Sequence, residues 1–137
     1  GMVTPVGLGI SLVSGKEVIV IDGDGSLLMN PGSLATAAHF NPPNLTIIAL
    51  DNRSYGSTGG QPTFTGSCVN LASVASGFGI ENVVSVSGKW NVIAALKMST
   101  KGMKFIHVPI IPGNADVSNI PLDPLDNKRQ VMDFLRY

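Results

Sequence analysis

The sequence predicts an α/β fold with a mainly parallel sheet and helices on both faces. Two observations carry this prediction. Glu17–Asp22 (EVIVID) and Leu45–Leu50 (LTIIAL) are near-continuous aliphatic runs, the pattern of parallel strands covered on both sides. Helix-compatible stretches alternate with these and two further strand-like runs, which implies right-handed βαβ crossovers.

Val3–Val13 is apolar enough for a first helix, despite Gly7 and Gly9. Glu17–Asp22 is the first strand. Asn30-Pro31 reads as a helix start, with Asn as N-cap and Pro at the first helical position. That helix runs to about Phe40 and is stopped by Asn41-Pro42-Pro43. Leu45–Leu50 is the second strand. Asn70–Gly77 and Gly88–Thr100 are expected helices on either side of a strand at Val83–Val86. Lys104–Val108 is the last strand and Asn127–Tyr137 the last helix. Two long segments, Asp51–Cys68 and Pro109–Asp126, read as loops, and loops of that length are usually functional or partner-bound.

Length and composition bound the function. The 137 residues suit one domain, taken as residues 2–137, with a core large enough to need no staples. Gly1-Met2 reads as a tag remnant before a start methionine. Nine basic residues balance nine acidic ones, so there is no electrostatic footprint for nucleic acid or an anionic membrane. Apolar runs such as Val18–Ile21 are far below the ~20 residues of a membrane span. One cysteine, Cys68, excludes an intrachain disulfide and fits a reducing, cytoplasmic setting. Charged residues are 13% of the chain, about half the usual share. So little charge suggests that another subunit covers part of the surface, and a homo- or hetero-oligomer is expected.

The residues that point to chemistry stand at two strand ends. Gly23-Asp24-Gly25-Ser26 comes directly after the first strand and Asp51-Asn52 directly after the second. Open α/β sheets bind ligands at the carboxyl ends of their strands. Asp24 and Asn52 are hard oxygen donors one strand–helix–strand unit apart, so neighbouring strands can present them together. One carboxylate and one amide oxygen, completed by water and phosphate oxygens, suit Mg²⁺. Gly25 would let a backbone approach a phosphate, and Ser26 adds a hydroxyl donor. A Gly-Asp-Gly alone also describes an ordinary turn. In the loop, Gly56, Gly59 and Gly60 permit positive φ, while Ser57, Thr58, Gln61 and Thr63 offer neutral donors for an anion. His39 reads as a surface or packing residue and His107 as a satisfied core histidine. Cys68 reads as a small buried apolar side chain, and Trp90 and Phe105 as core or interface residues. Lys101, Lys104, Lys128 and Arg129 read as a solvated face.

Gly-Asp-Gly, then 26 residues, then Asn52, resembles the thiamine-diphosphate motif, with Asp51 in place of the first of two asparagines. The resemblance implies a three-layer thiamine-diphosphate-binding fold. It implies a metal held by Asp24, Asn52 and the Ser54 carbonyl, and a cofactor lying against Gly23, Asp24, Gly25, Ser26, Asn52, Tyr55, Gly56 and Ser57. The longer string GDGSLLMNPGSLATAAHFNPPNLTIIALDNRSYGSTGGQPTFTG is similar to β-subunits of the sulfopyruvate decarboxylase family, with phosphonopyruvate decarboxylases close behind. The implied reaction is decarboxylation of a small anionic 2-oxoacid, here 3-sulfopyruvate to sulfoacetaldehyde and CO₂, a step toward coenzyme M. The implied cofactors are thiamine diphosphate and Mg²⁺. The implied partner is an α-subunit that binds the pyrimidine and supplies the activating glutamate; neither Glu17 nor Glu81 has such a context. No catalytic residue is therefore assigned to this chain, and alone it is expected to be inactive. Relative to the family it reads as N-terminally truncated, since the Gly-Ser-Met-Gly-like turn that precedes the first helix falls before Gly1. β-Subunits of 2-oxoacid:ferredoxin oxidoreductases carry a similar loop, but one cysteine cannot hold a four-thiolate cluster. A non-catalytic remnant that only oligomerises is the reading from another class.

Overall fold

A computed structural model describes residues 1–113, 117 and 123–136. Four parallel strands, β1 (Val18–Gly23), β2 (Leu45–Asp51), β5 (Asn82–Ser85) and β6 (Lys104–Pro109), form a sheet in the order β1-β2-β6-β5. The register sets Gly23 beside Leu50 and Asp51 beside Pro109, so the carboxyl ends of three strands lie level.

The period-two alternation of these strands feeds two cores. Val20, Leu45, Ile47, Ala49 and Phe105 face one side, against α1 (Val3–Val13), α3 (Gly32–Phe40) and α4 (Leu71–Gly77). Ile48, Ile106 and Val108 face the other, against Ala95 and Val92 of α5 (Lys89–Leu96). Helices thus lie on both faces of the sheet, as the sequence predicts, but β1 is not covered on both sides as expected: Ile19 and Ile21 are exposed. Burial of each large aliphatic side chain contributes about 1.5–3 kcal/mol. Gly7 explains how α1 sits so close to the sheet: a Cβ there would run into Val20 Cγ2. Asn44 fixes the turn below, its amide donating to the carbonyls of Ser11, Ser14 and Lys16 at 2.9–3.1 Å.

Several expectations need correction. The segment after β1 is not a simple turn but a short helix, α2 (Asp24–Met29). Asn30 does not cap α3: its Nδ2 donates to the Gly1 carbonyl, its own carbonyl takes Ser33 Oγ, and Pro31 occupies the cap position. Asn70 does cap α4, accepting from Ser73 N at 2.9 Å. The helix expected to reach Thr100 ends at Leu96, where Lys104 Nζ donates to the Leu96 carbonyl at 2.6 Å. Lys104 is therefore a helix cap, not part of a solvated face. The last helix, α6 (Pro124–Leu135), starts three residues earlier than expected because Asp123 caps it at Leu125 N. Trp90 is 75% exposed, so it packs in no core of this chain, whereas Phe105 is fully buried. Much of the expected second loop, residues 114–116 and 118–122, lies outside the described residues. Among the described residues no helix is long and apolar enough to cross a membrane.

Candidate active site

β1 and β2 end side by side, and an open cleft of about 560 Å³ lies beyond their carboxyl ends. Its lining includes Gly23, Asp24, Gly25 and Ser26 from the β1–α2 junction and Asn52, Ser54, Tyr55, Gly56 and Ser57 from beyond β2. Every residue that the resemblance names for cofactor or metal lines this one cleft. A smaller cleft of about 220 Å³ lies at the amino ends of the strands, with Glu17 in its wall.

The first expected loop is structured. Asp51 Oδ1 accepts from Arg53 N at 3.1 Å and Asn52 Oδ1 from Ser54 N at 2.9 Å, two successive side-chain turns. They force Arg53 into the left-handed region at φ 59°. The chain then enters an antiparallel hairpin, β3 (Ser54–Tyr55) with β4 (Gln61–Pro62). Gly59 and Gly60 in its turn take positive φ; Gly56 does not. Thr58 and Gln61 bond one another at 3.3 Å, and of the four proposed neutral donors only Ser57 lines the cleft. Cys68 is exposed, not buried, because its N–H closes on the Phe64 carbonyl after a 3₁₀ turn at Phe64–Gly66 that leaves it outside the core.

Gly25 has a different reason from the one read in the sequence. A Cβ there would lie 2.6 Å from Tyr55 Cδ1 and Cε1, so the space belongs to the Tyr55 ring. Ser26 Oγ accepts from the Gly1 amino group at 2.8 Å. Asp22, for which the sequence gives no signal, is buried at the cleft wall, held by Thr4 Oγ1 at 3.3 Å and Gly23 N at 3.0 Å.

Asp24 is buried, and its two oxygens differ. Oδ2 accepts from Thr63 Oγ1 at 2.5 Å and Thr65 Oγ1 at 3.1 Å. Oδ1 receives no donor among the described residues. Ser54 and Pro62 are a non-hydrogen-bonded pair of the hairpin, flanked by the bond from Thr63 N to the Arg53 carbonyl at 3.0 Å, so the Ser54 carbonyl points away from β4. Among the described residues no group of three His, Cys, Asp or Glu side chains could hold a metal. The donors that the resemblance names for the metal, from Asp24, Asn52 and Ser54, are one carboxylate, one amide and one carbonyl. All are hard oxygens, the donor type suited to Mg²⁺ with water and phosphate completing the shell.

Beside them lies a buried pair. Asp51 Oδ2 is 2.9 Å from His107 Nε2, and His107 Nδ1 is 2.9 Å from Ser85 Oγ. Because the carboxylate only accepts, Nε2 carries the hydrogen. Asp51 Oδ1 also accepts from Thr65 Oγ1 at 2.7 Å. Burial pushes the Asp51 carboxyl up. Hydrogen bonds from His107, Thr65 and the Arg53 N–H, with the charge of His107, outweigh it and hold the group below its ordinary value. His107 is thus the satisfied core histidine expected. Of Asp51, Thr63 and Thr65, only Asp51 had a signal in the sequence for this role: Asp51 and His107 fall on the same face of adjacent strands once β2 and β6 are aligned.

The fold and this cleft define an α/β protein of the class that receives its ligand at the carboxyl edge of a parallel sheet. Residues 1–108 match the family described as thiamine pyrophosphate enzyme, C-terminal TPP binding domain, and the chain belongs to that family. It is 44% identical to a sulfopyruvate decarboxylase of Methanosarcina acetivorans, covering 98% of this chain and 35% of that one. It is 47% identical to a sulfopyruvate decarboxylase subunit beta of Methanothermobacter thermautotrophicus, covering 90% of this chain and 64% of that one. A phosphonopyruvate decarboxylase of Streptomyces hygroscopicus is 39% identical over 98% of this chain and 34% of its own length. The chain therefore spans between about a third and two thirds of these relatives. In three dimensions it is similar to a protein of Mycobacterium smegmatis described as a thiamin diphosphate-dependent enzyme. That match has a TM-score of 0.62 and 23% identity, over 80% of this chain and 22% of that one.

Proposed function

We propose that this chain is the diphosphate- and metal-holding part of a thiamine-diphosphate-dependent 2-oxoacid decarboxylase acting on sulfopyruvate, with residues 2–137 as one domain in a reducing, cytoplasmic setting. The observation that carries the reading is the meeting of Asp24, Asn52 and Ser54 at one cleft, with Asp24 Oδ1 lacking a protein donor among the described residues. Asp24 Oδ1, Asn52 Oδ1 and the Ser54 carbonyl would hold Mg²⁺. Gly23, Gly25, Ser26, Tyr55, Gly56 and Ser57 would line the diphosphate. Bound there, the cofactor supplies an electron sink for loss of CO₂. The chain's own residues fix its position, and orientation of this kind is worth several kcal/mol of barrier. The activating carboxylate is assigned to a partner, as the name subunit beta of a relative suggests. Ile19 and Ile21, 52% and 60% exposed on β1, fit a chain that is covered by another subunit.

Calorimetry with Mg²⁺ and thiamine diphosphate tests the reading. Asp24→Ala should abolish metal-dependent binding and Asn52→Ala should weaken it strongly, both with an unchanged far-UV spectrum. Unchanged affinity in both variants would sink the assignment. The phosphonopyruvate decarboxylase likeness supports a second substrate reading, separated by comparing kcat/KM for the two acids in the complex with a pyrimidine-binding partner.

A further inference from the structure

The Asp24 and Asp51 carboxylates are joined through one side chain. Thr65 Oγ1 lies 2.7 Å from Asp51 Oδ1, 2.8 Å from Thr63 Oγ1 and 3.1 Å from Asp24 Oδ2. Thr63 Oγ1 in turn lies 2.5 Å from Asp24 Oδ2. Two hydroxyl protons serve this set, so the bonds are shared. Thr63 gives its proton to Asp24 Oδ2, and the Thr65 proton is a three-centre donor to Asp51 Oδ1 and Asp24 Oδ2, so Thr65 links the two carboxylates among the described residues. From Asp51 the chain of bonds continues through His107 of β6 to Ser85 of β5.

We propose that Thr65 is a positioning residue for the cation: it ties the Asp24 carboxylate to the Asp51–His107–Ser85 chain, so that three strands of the sheet set which oxygen of Asp24 faces the metal. The inference rests on the cofactor reading above. Holding Oδ2 with hydroxyl donors turns Oδ1 to the cleft and spares the metal the entropy of ordering its ligand. The same geometry explains Asp51 where the family motif often has Asn. Asp51 accepts on both oxygens, from Thr65 and Arg53 N on one and from His107 on the other. An amide would present N–H groups to one of those donors and break the chain.

The test uses the full chain, in complex with its partner if that is needed for binding, and titrates Mg²⁺ at fixed thiamine diphosphate by calorimetry. Thr65→Val keeps the shape and removes the hydroxyl; Thr65→Ser keeps the hydroxyl. Loss of a partner behind a metal ligand typically costs 10–100-fold in metal affinity. The Mg²⁺ half-saturation of Thr65→Val should rise at least about tenfold, while Thr65→Ser stays near the parent. A merely structural threonine would instead lower the melting temperature and leave the half-saturation alone. Equal half-saturation in Thr65→Val and parent, or equal loss in Val and Ser, overturns the proposal. Asp24→Ala separates the two failures. If it binds like the parent, the cofactor reading falls and this inference with it. If it loses binding while Thr65→Val keeps it, only the positioning role is refuted.

Discussion

Gly25→Ala places the packing of the cleft wall under direct test. The added Cβ would stand 2.6 Å from two carbons of the Tyr55 ring. Carbon atoms prefer about 3.5–4.0 Å, so the overlap is roughly 1 Å. Tyr55 is half-buried and belongs to the short β3, so the ring or the hairpin must shift. Two effects compete. Alanine favours a helix interior over glycine by up to about 1 kcal/mol. Overpacking costs about 1–3 kcal/mol, so it wins by roughly 1–2 kcal/mol. For a chain of this size that is a fall in Tm of roughly 4–8 °C, readable by calorimetry or circular dichroism. The sign should reverse once the ring is removed. In a Tyr55→Ala background the next neighbour, Thr63 Cγ2, is 3.6 Å away, an ordinary contact. There Gly25→Ala should be neutral or stabilising, so a double-mutant cycle reports a strong coupling. If Gly25→Ala raises Tm in both backgrounds, the Tyr55 ring does not fill that space and the account of Gly25 is wrong.

Two further outcomes are expected. The Asp51 carboxyl sits below its ordinary value of 3.8 when folded. Its stabilising contribution is complete above that value and is lost as pH falls below 3.8 through the folded pKa. Asp51→Asn should therefore flatten stability against pH in that acid range, and an unchanged acid limb in urea titrations would contradict it. Phe105 is fully buried at the centre of the larger core, so Phe105→Ala should lower unfolding stability by about 3–5 kcal/mol; a loss under about 1 kcal/mol would show that the core closes over the gap.

The sheet is legible in the sequence because Val/Ile runs at Val18–Ile21 and Leu45–Leu50 leave few alternatives to buried parallel strands. The glycine-flanked Asp24 and the strand-end Asn52 are legible for the same reason: once a strand is placed, its carboxyl end locates the residues next in the chain. The features that are not legible depend on contacts between distant segments. α2 is hidden because Gly25 disfavours a helix, and only the Tyr55 ring, thirty positions on, explains why glycine is there. Asn30 has the chemistry of a cap, yet its amide is taken by the Gly1 carbonyl. The hairpin at Ser54–Pro62 has two-residue strands, too short for any periodicity. Cys68 comes after a 3₁₀ turn, where no repeating pattern says which way a side chain faces. Thr63 reads as a donor to a ligand and Thr65 carries no signal, because nothing local shows that both point back at Asp24.

The strand order has a consequence for how the molecule assembles. Of the four described strands of the sheet, β6 is synthesised last, yet it lies between β2 and β5. Until residues 104–109 are available, β2 can pair only with β1, and β5 has no neighbour in the sheet at all. The nascent chain therefore carries an open aliphatic edge along Leu45–Leu50 for the time taken to synthesise more than fifty further residues. Edges of that kind invite pairing with other chains. His107, which closes the hydrogen-bonded chain to Asp51, arrives with that last strand, so the carboxyl end of the sheet is completed in one late step.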